Sequence, residues 1–231
     1  MVTLVIPAGI QQLRGYTCAQ HHGDPIAALN LRIIFMPPSF ITGHRIYLRG
    51  LTRTDLPALL TWTSDREVTH YLYRGTFPAH LEALERAYEM MVNSSVEEEV
   101  AVCSRKEEVL IGIGGLHGIN PIARSAELRI LIGEKRWWNQ GCGTEVTQLL
   151  LAWAFEVLNL HKVWLGVNAA QSNAVRVYEK VGFVREGILR DEVWRNGRYY
   201  DAVRMSLLAT EYHAQREQWA CAAELATQFP P

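Results

Sequence analysis

An excess of charge of either sign is missing from this chain. Across 231 residues, 23 Lys and Arg meet 24 Asp and Glu, a formal net charge of −1. A general nucleic-acid binder shows a basic face or stripe, and a disordered tail shows a block of like charge; neither is here. Long apolar runs are lacking too: nothing approaches the ~20 residues needed to span a bilayer. The opening Met1-Val2-Thr3-Leu4-Val5-Ile6-Pro7 has no basic lead into a long apolar core, so it does not read as a signal peptide. The four cysteines, Cys18, Cys103, Cys142 and Cys221, form no CxxC or CxH pair, which argues against a zinc site or a disulfide scaffold. Isolated reduced thiols and balanced charge predict a soluble, cytoplasmic protein that uses no metal and partners neither nucleic acid nor membrane.

What is present belongs to an ordinary globular protein. Apolar residues make up 48% and charged residues 20%, and the chain is long enough to close one core without staples. Residues 1–43 mix Gly, Pro, His and short apolar pieces without a sustained period, and read as an N-terminal extension. A chain beginning at Met36 is expected to fold and keep its activity. From His44 the signals sharpen. Residues 45–49 alternate like a strand, Thr54-Asp55 offers a cap to a helix through Leu59, Leu60 and Trp62, and Leu81, Leu84, Tyr88 and Met91 fit a second helix. Residues 100–103, 109–116 and 126–132 read as three consecutive strands.

The helix pattern is strongest over 143–158, where Val146, Leu149, Leu150, Trp153 and Val157 form one stripe. A strand over 161–167 and a short helix over 172–180, closed by Gly182, follow. Residues 183–195 and 198–208 are two strands joined by Asn196-Gly197, a strong hairpin signal. The order predicts one mixed α/β or α+β domain over 44–208, with a helical tail over 209–231.

Two stretches carry chemistry. In the first, the strand Glu127-Leu-Arg-Ile-Leu-Ile-Gly133 leads through Trp137-Trp138-Asn139-Gln140-Gly141-Cys142-Gly143-Thr144 into the long helix. Glycines one residue apart at a helix start let backbone N–H groups converge on an anion, with the helix dipole behind them. A P-loop would need a Lys-Ser or Lys-Thr pair, and the dinucleotide fingerprint a third glycine where Val146 stands; both are missing. In the second, Gln171-Ser-Asn173-Ala-Val-Arg176-Val-Tyr178-Glu-Lys180-Val-Gly182-Phe183, the spacing places Ala174, Val177 and Val181 on one apolar face and leaves Tyr178 to point elsewhere.

Together these stretches resemble the GNAT superfamily of acetyl-coenzyme A-dependent N-acetyltransferases, in its branch of ribosomal-protein and spermidine/spermine acetyltransferases. The resemblance covers residues 45–212. It rests on Ala126-Glu127-Leu128 through Gly133, Gln140-Gly141-Cys142-Gly143-Thr144-Glu145 and Tyr178-Glu179-Lys180-Val181-Gly182-Phe183. Glu186-Gly187-Ile188-Leu189-Arg190, Asn196-Gly197-Arg198-Tyr199-Tyr200-Asp201 and Met205 also match.

The resemblance implies a twisted mixed sheet with two splayed central strands and flanking helices. It also implies acetyl-coenzyme A as co-substrate, its pantetheine arm along Ile130, Leu131 and Ile132 and its pyrophosphate on amides from Asn139 to Thr144. Trp138, Gln171, Asn173 and Lys180 fall at further cofactor positions. Trp138 stands where the turn motif usually begins with Gln or Arg, and Gln171 replaces the usual Asn. Tyr178 matches the tyrosine that protonates the departing thiolate.

Direct attack by a bound amine needs no covalent enzyme intermediate, so Cys142 is no nucleophile. Glu127 is the candidate base, with a structural partnership to Arg129 or Arg190 equally open. His117 reads as a solvated strand histidine, and Asp201 as a group that shapes the site or holds the hairpin. The acceptor is expected to be a primary amine of a small molecule or a peptide N-terminus. The stretch Gly115-Leu-His-Gly-Ile-Asn120 holds no carboxylate, which predicts poor turnover of polyamines; Glu97-Glu98-Glu99 reads as a solvated run. A spermidine/spermine acetyltransferase, an inactive coenzyme A-binding module and a nucleotide-binding enzyme are the alternatives. A homo-oligomer is left open.

Overall fold

The computed structural model describes residues 38–72 and 75–229. The greater part of the expected extension, residues 1–37, therefore lies outside the described residues. Eight strands form one sheet in the order β1-β2-β3-β4-β5-β6-β8-β7. They are β1 (Ser39–Thr42), β2 (Ile46–Gly50), β3 (Glu98–Ser104), β4 (Leu110–Asn120), β5 (Ser125–Ile132), β6 (Lys162–Asn168), β7 (Val184–Arg195) and β8 (Arg198–Leu208). Every neighbouring pair is antiparallel except β5–β6. The helices are α1 (Leu56–Ser64), α2 (Leu81–Val92), α3 (Cys142–Ala152), α4 (Ser172–Val181), α5 (Ala209–Gln215) and α6 (Ala222–Gln228).

Alternation along the strands divides the core between the two faces. On one, Val100 and Val102 of β3 and Ala126 and Leu128 of β5 pack with Val146, Leu149 and Leu150 of α3. On the other, Ala101 and Cys103 meet Leu56, Leu59 and Trp62 of α1, and Leu84, Tyr88 and Met91 of α2 pack against that cluster. The stripe read in α3 is too narrow, since Thr147, Gln148, Leu151 and Ala152 are buried as well. The helix also ends sooner: the chain widens into a π-type turn over Trp153–Val157, which leaves Val157 exposed.

Two local devices match their sequence signals and a third departs from its own. Asn196 and Gly197 take φ of 53° and 77°, the pair of positive angles a two-residue hairpin turn demands. Gly182 closes α4 at φ 108°, its N–H donating to the carbonyls of Tyr178 and Glu179. Ahead of α1 the cap differs from Thr54-Asp55: Thr52 N–H and hydroxyl donate to Asp55 at 2.8 Å, and the carboxylate also receives both Nη atoms of Arg49 at 2.8 Å. Burial alone would raise the Asp55 pKa; the Arg49 fork and the Thr52 donors outweigh it and hold it below the usual value.

The parallel pair positions the site. β5 and β6 are in register only from Ser125↔Lys162 to Glu127↔Trp164. Beyond Glu127 they diverge, while β5 stays paired to β4 as far as Ile132. The centre of the sheet is a splay, one edge given by Leu128 to Ile132 and the other by Leu165 to Asn168.

Candidate active site

The chain that leaves the splayed end of β5 runs into the glycine turn. Asn139 and Gly141 take φ of 58° and 84°, and α3 begins at Cys142. A Cβ added at Gly143 would meet no atom within 4 Å, so open space lies over this backbone. The first N–H groups of α3 have no helical partner, and such a cradle fits a phosphate. Cys142 is buried and desolvation raises its thiol pKa, which leaves it a core group rather than a nucleophile. Gln140 and Asn139 are exposed, and Gly143 and Thr144 half-buried. Trp138 donates its indole N–H to the Ile132 carbonyl at 2.8 Å, tying the turn to the strand edge. Ile130 and Ile132 lean on the α3 face of the sheet and Leu131 on the α1–α2 face.

Across the splay, the carbonyl of Gln171 caps α4, receiving N–H from Ala174 and Val175 at 3.0 and 3.2 Å. Asn173 and Lys180 are exposed on α4. Tyr178 does not point away from the apolar face as its spacing suggested. It packs half-buried on the core beside α3, 5.7 Å edge-to-face from Phe183, and burial pushes its phenol up to about 12. Asn168 belongs to none of the motifs singled out above. It ends β6 beside Gln171, buried, with an Nδ2 that has no partner among the described residues. Its only advance signal was a polar residue closing an apolar strand.

A second region lies on the opposite face. A cavity of about 390 Å³ runs between α1, α2 and the sheet, walled by Leu51, Leu59, Leu84 and Met91 and ending on Glu97, Glu99, His117 and Arg129. The β3–β4–β5 register makes this cluster. Glu99 lies opposite Gly115, Gly115 opposite Arg129 and His117 opposite Glu127. Just past His117, the left-handed Gly118 (φ 57°) and a shift of register bulge the strand, a device that re-aims neighbouring side chains. His117 is consequently not solvated: its side chain is 7% exposed, with Nε2 3.7 Å from Glu99 Oε1. Glu97 and Glu98 are exposed, as a solvated run requires, but Glu97 also borders the cavity and Glu99, half-buried, lines it. Glu127 receives Arg129 Nη2 at 2.7 Å; of the two arginines considered, Arg129 is the partner. Asp201 accepts the Asp191 N–H at 2.9 Å and so holds the hairpin.

A sheet splayed at its parallel β5–β6 pair, a glycine turn opening a helix at one edge and a tyrosine-bearing helix at the other define an acyl-transferase scaffold for a coenzyme A thioester. Residues 45–184 match the acetyltransferase (GNAT) domain family, and the chain belongs to it. The spermidine N(1)-acetyltransferase of Vibrio cholerae is 35% identical over 170 residues, 73% of this chain and 95% of the relative. A crystal structure of the V. cholerae spermidine N-acetyltransferase with CoA and spermine superimposes with a TM-score of 0.68 at 34% identity, covering 73% of this chain and 98% of that one. A dodecameric structure of the V. cholerae enzyme in an intermediate state gives a TM-score of 0.64 at 33% identity, over 73% and 96% of the two chains. The chain is thus an acetyl-coenzyme A-dependent N-acetyltransferase with the mixed α/β fold of that family. Among the described residues, no helix is long and apolar enough to cross a membrane.

Proposed function

We propose that the acetyl acceptor is a linear di- or polyamine whose terminal ammonium sits among Glu97, Glu99 and Glu127. The observation that carries this is the composition of the cavity: apolar walls for a methylene chain, closing on the carboxylates of Glu97 and Glu99 and on Arg129, whose guanidinium is already paired with Glu127 next to it. The Gly115–Asn120 segment lacks carboxylates of its own, but its neighbours β3 and β5 supply them in register, so the argument for a hydroxylated monoamine or a peptide amine loses its premise. The spermidine acetyltransferases among the relatives support the same choice. The dodecameric relative supports assembly of this chain into a homo-oligomer.

In this reading acetyl-coenzyme A supplies an activated thioester, and the chain supplies position and proton traffic. Holding two reactants in line is worth up to ~7–11 kcal/mol. Backbone N–H groups over 139–144 receive the pyrophosphate, the Ile130–Ile132 edge aligns the pantetheine arm, and a backbone N–H on that edge faces the developing oxyanion. Gln171, Asn173 and Lys180 border the cofactor on the α4 side. Glu127, oriented by Arg129, accepts the ammonium proton, and Tyr178 donates to the departing sulfur.

Released thiol, followed with spermidine, spermine, glucosamine, an aminoglycoside and a free-N-terminus peptide, tests the acceptor class. Spermidine or spermine is expected to give the highest kcat/KM and to lose it as salt is added, because clustered charge is screened over ~8–10 Å. Glu99→Gln is expected to raise the polyamine KM roughly 10-fold with little effect on kcat, a charge-assisted contact being worth ~1.5–3 kcal/mol. Preference for glucosamine or the peptide, or an unchanged KM in Glu99→Gln, would sink the polyamine assignment. Binding of coenzyme A without turnover of any amine would favour an inactive module instead.

A further inference from the structure

The glycine turn has no cation of its own: residues 139–144 read Asn-Gln-Gly-Cys-Gly-Thr, and the residue between the glycines is a buried thiol. A coenzyme A diphosphate laid there would meet backbone N–H groups alone unless charge arrives from another element. One side chain brings it. Arg45 immediately precedes β2, and its backbone N–H donates to Glu145 Oε1 at 2.8 Å; the Ile46 N–H shares the same oxygen at 3.4 Å. Glu145 is itself buried in the first turn of α3. A carboxylate inside the helix that carries the turn therefore fixes the start of β2 beside it.

From that anchor the Arg45 side chain reaches the turn. Its Nη1 donates to the Gln140 carbonyl and lies 3.4 Å from the point a Cβ on Gly141 would occupy. Neighbouring guanidinium groups are spent elsewhere. Arg105 donates to the Gly43 and His44 carbonyls at 2.7 and 3.2 Å, and Arg136 pairs with Glu107 at 2.8 Å. Arg45 is exposed, makes no ion pair with a carboxylate among the described residues, and gives one of its five N–H donors to Gln140.

We propose that Arg45 is a phosphate-binding residue of the coenzyme A site. Clamped by Glu145 at its backbone and by Gln140 at its head, it adds a guanidinium to the backbone cradle. A planar fork of this kind matches phosphate oxygens two at a time. The proposal rests on the acetyl-coenzyme A reading of the turn. Two phosphate positions on that molecule share the chemistry, the diphosphate and the 3′-phosphate of the adenosine.

Calorimetric binding of coenzyme A and of dephospho-coenzyme A to the full chain tests it. Arg45→Gln, which retains a donor for Gln140, is expected to weaken coenzyme A binding roughly 10- to 100-fold, the range of a charge-assisted contact. Arg45→Lys is expected to recover part of that loss, and both variants should melt as the wild type does. Equal weakening of both ligands places the guanidinium on the diphosphate. Loss of the wild-type preference for coenzyme A over the dephospho form places it on the 3′-phosphate. Wild-type affinity in Arg45→Gln, or weakening accompanied by a lowered melting temperature that Lys does not relieve, would overturn the proposal and leave the family assignment standing. Failure of the wild type to bind coenzyme A at all would instead overturn the cofactor reading of the turn.

Discussion

Tyr178 sits in apolar surroundings that keep its phenol neutral up to about 12. A thiol ionises near ~8.5, so handing over a full proton would leave a phenolate less stable than the thiolate it neutralised. The geometry is better suited to a hydrogen bond that strengthens as charge builds on the departing sulfur, with any transferred proton soon replaced. Tyr178→Phe is accordingly expected to cut kcat by ~10²–10⁴ and to leave acetyl-coenzyme A affinity nearly unchanged. A stopped assay and calorimetry on the same preparation check both, and wild-type turnover would reduce Tyr178 to packing. The same substitution has a signature in stability. An unfolded tyrosine ionises near 10.0 and this one not until about 12. Above pH 10 the unfolded chain has released a proton that the folded chain still holds. This contribution to stability is complete below pH 10 and is lost as the pH rises to about 12. The fall in melting temperature across that window should be shallower in Tyr178→Phe. His117 is a residue whose sequence reading, a solvated strand histidine, the structure reverses. Its type was visible, but its burial depends on the α2 roof and the bulge at Gly118, neither of which is a property of its own neighbourhood.

Elements were legible where the chemistry is local. The Asn196-Gly197 hairpin, the Gly182 stop and the glycine turn each declare themselves through backbone angles that few residues adopt. Non-local pairing is what the sequence concealed. The acidic cluster arises because β3, β4 and β5 align Glu99, His117 and Glu127 across three strands, and no window along the chain contains that register. The two glycines of the turn also separate once geometry is known. Gly141 is left-handed, so Gly141→Val carries ~1–3 kcal/mol of backbone strain as well as any effect on ligand. Gly143 lies in α3 with open space where its Cβ would be. Gly143→Val is therefore expected to preserve the fold and to weaken acetyl-coenzyme A binding, because the branched side chain fills the space proposed for the phosphate. Unchanged affinity in the folded variant would remove the turn from the cofactor site. Gly143→Ala should show a smaller loss in the same direction.

At the scale of the whole molecule, the two ends of the described domain hold each other. The sequence placed the domain start at His44, yet β1 lies before it, and Ile41 is 1% exposed in the core. Phe40 stands edge-to-face with Trp153 at 5.4 Å. Gln228, at the end of α6, accepts the Thr42 N–H at 2.8 Å and donates to the Thr42 carbonyl at 2.6 Å, while Glu224 contacts His44 at 3.2 Å. The helices over 209–228 also place Tyr212, Trp219 and Leu225 in the core. Periodicity missed β1 because four residues behind Pro37-Pro38 are too short to show alternation. A chain beginning at Met36 keeps all of these contacts and is expected to melt and acetylate like the full chain. One beginning at His44 loses the Ile41 burial, worth ~1.5–3 kcal/mol, together with the β1–β2 ladder and the Gln228 clamp. Its melting temperature should fall by roughly 5–10 °C or more. Equal stability of the two truncated chains would make β1 an ornament on the sheet. Loss of folding or acetylation in the Met36 chain would assign residues 1–35 a part in the domain.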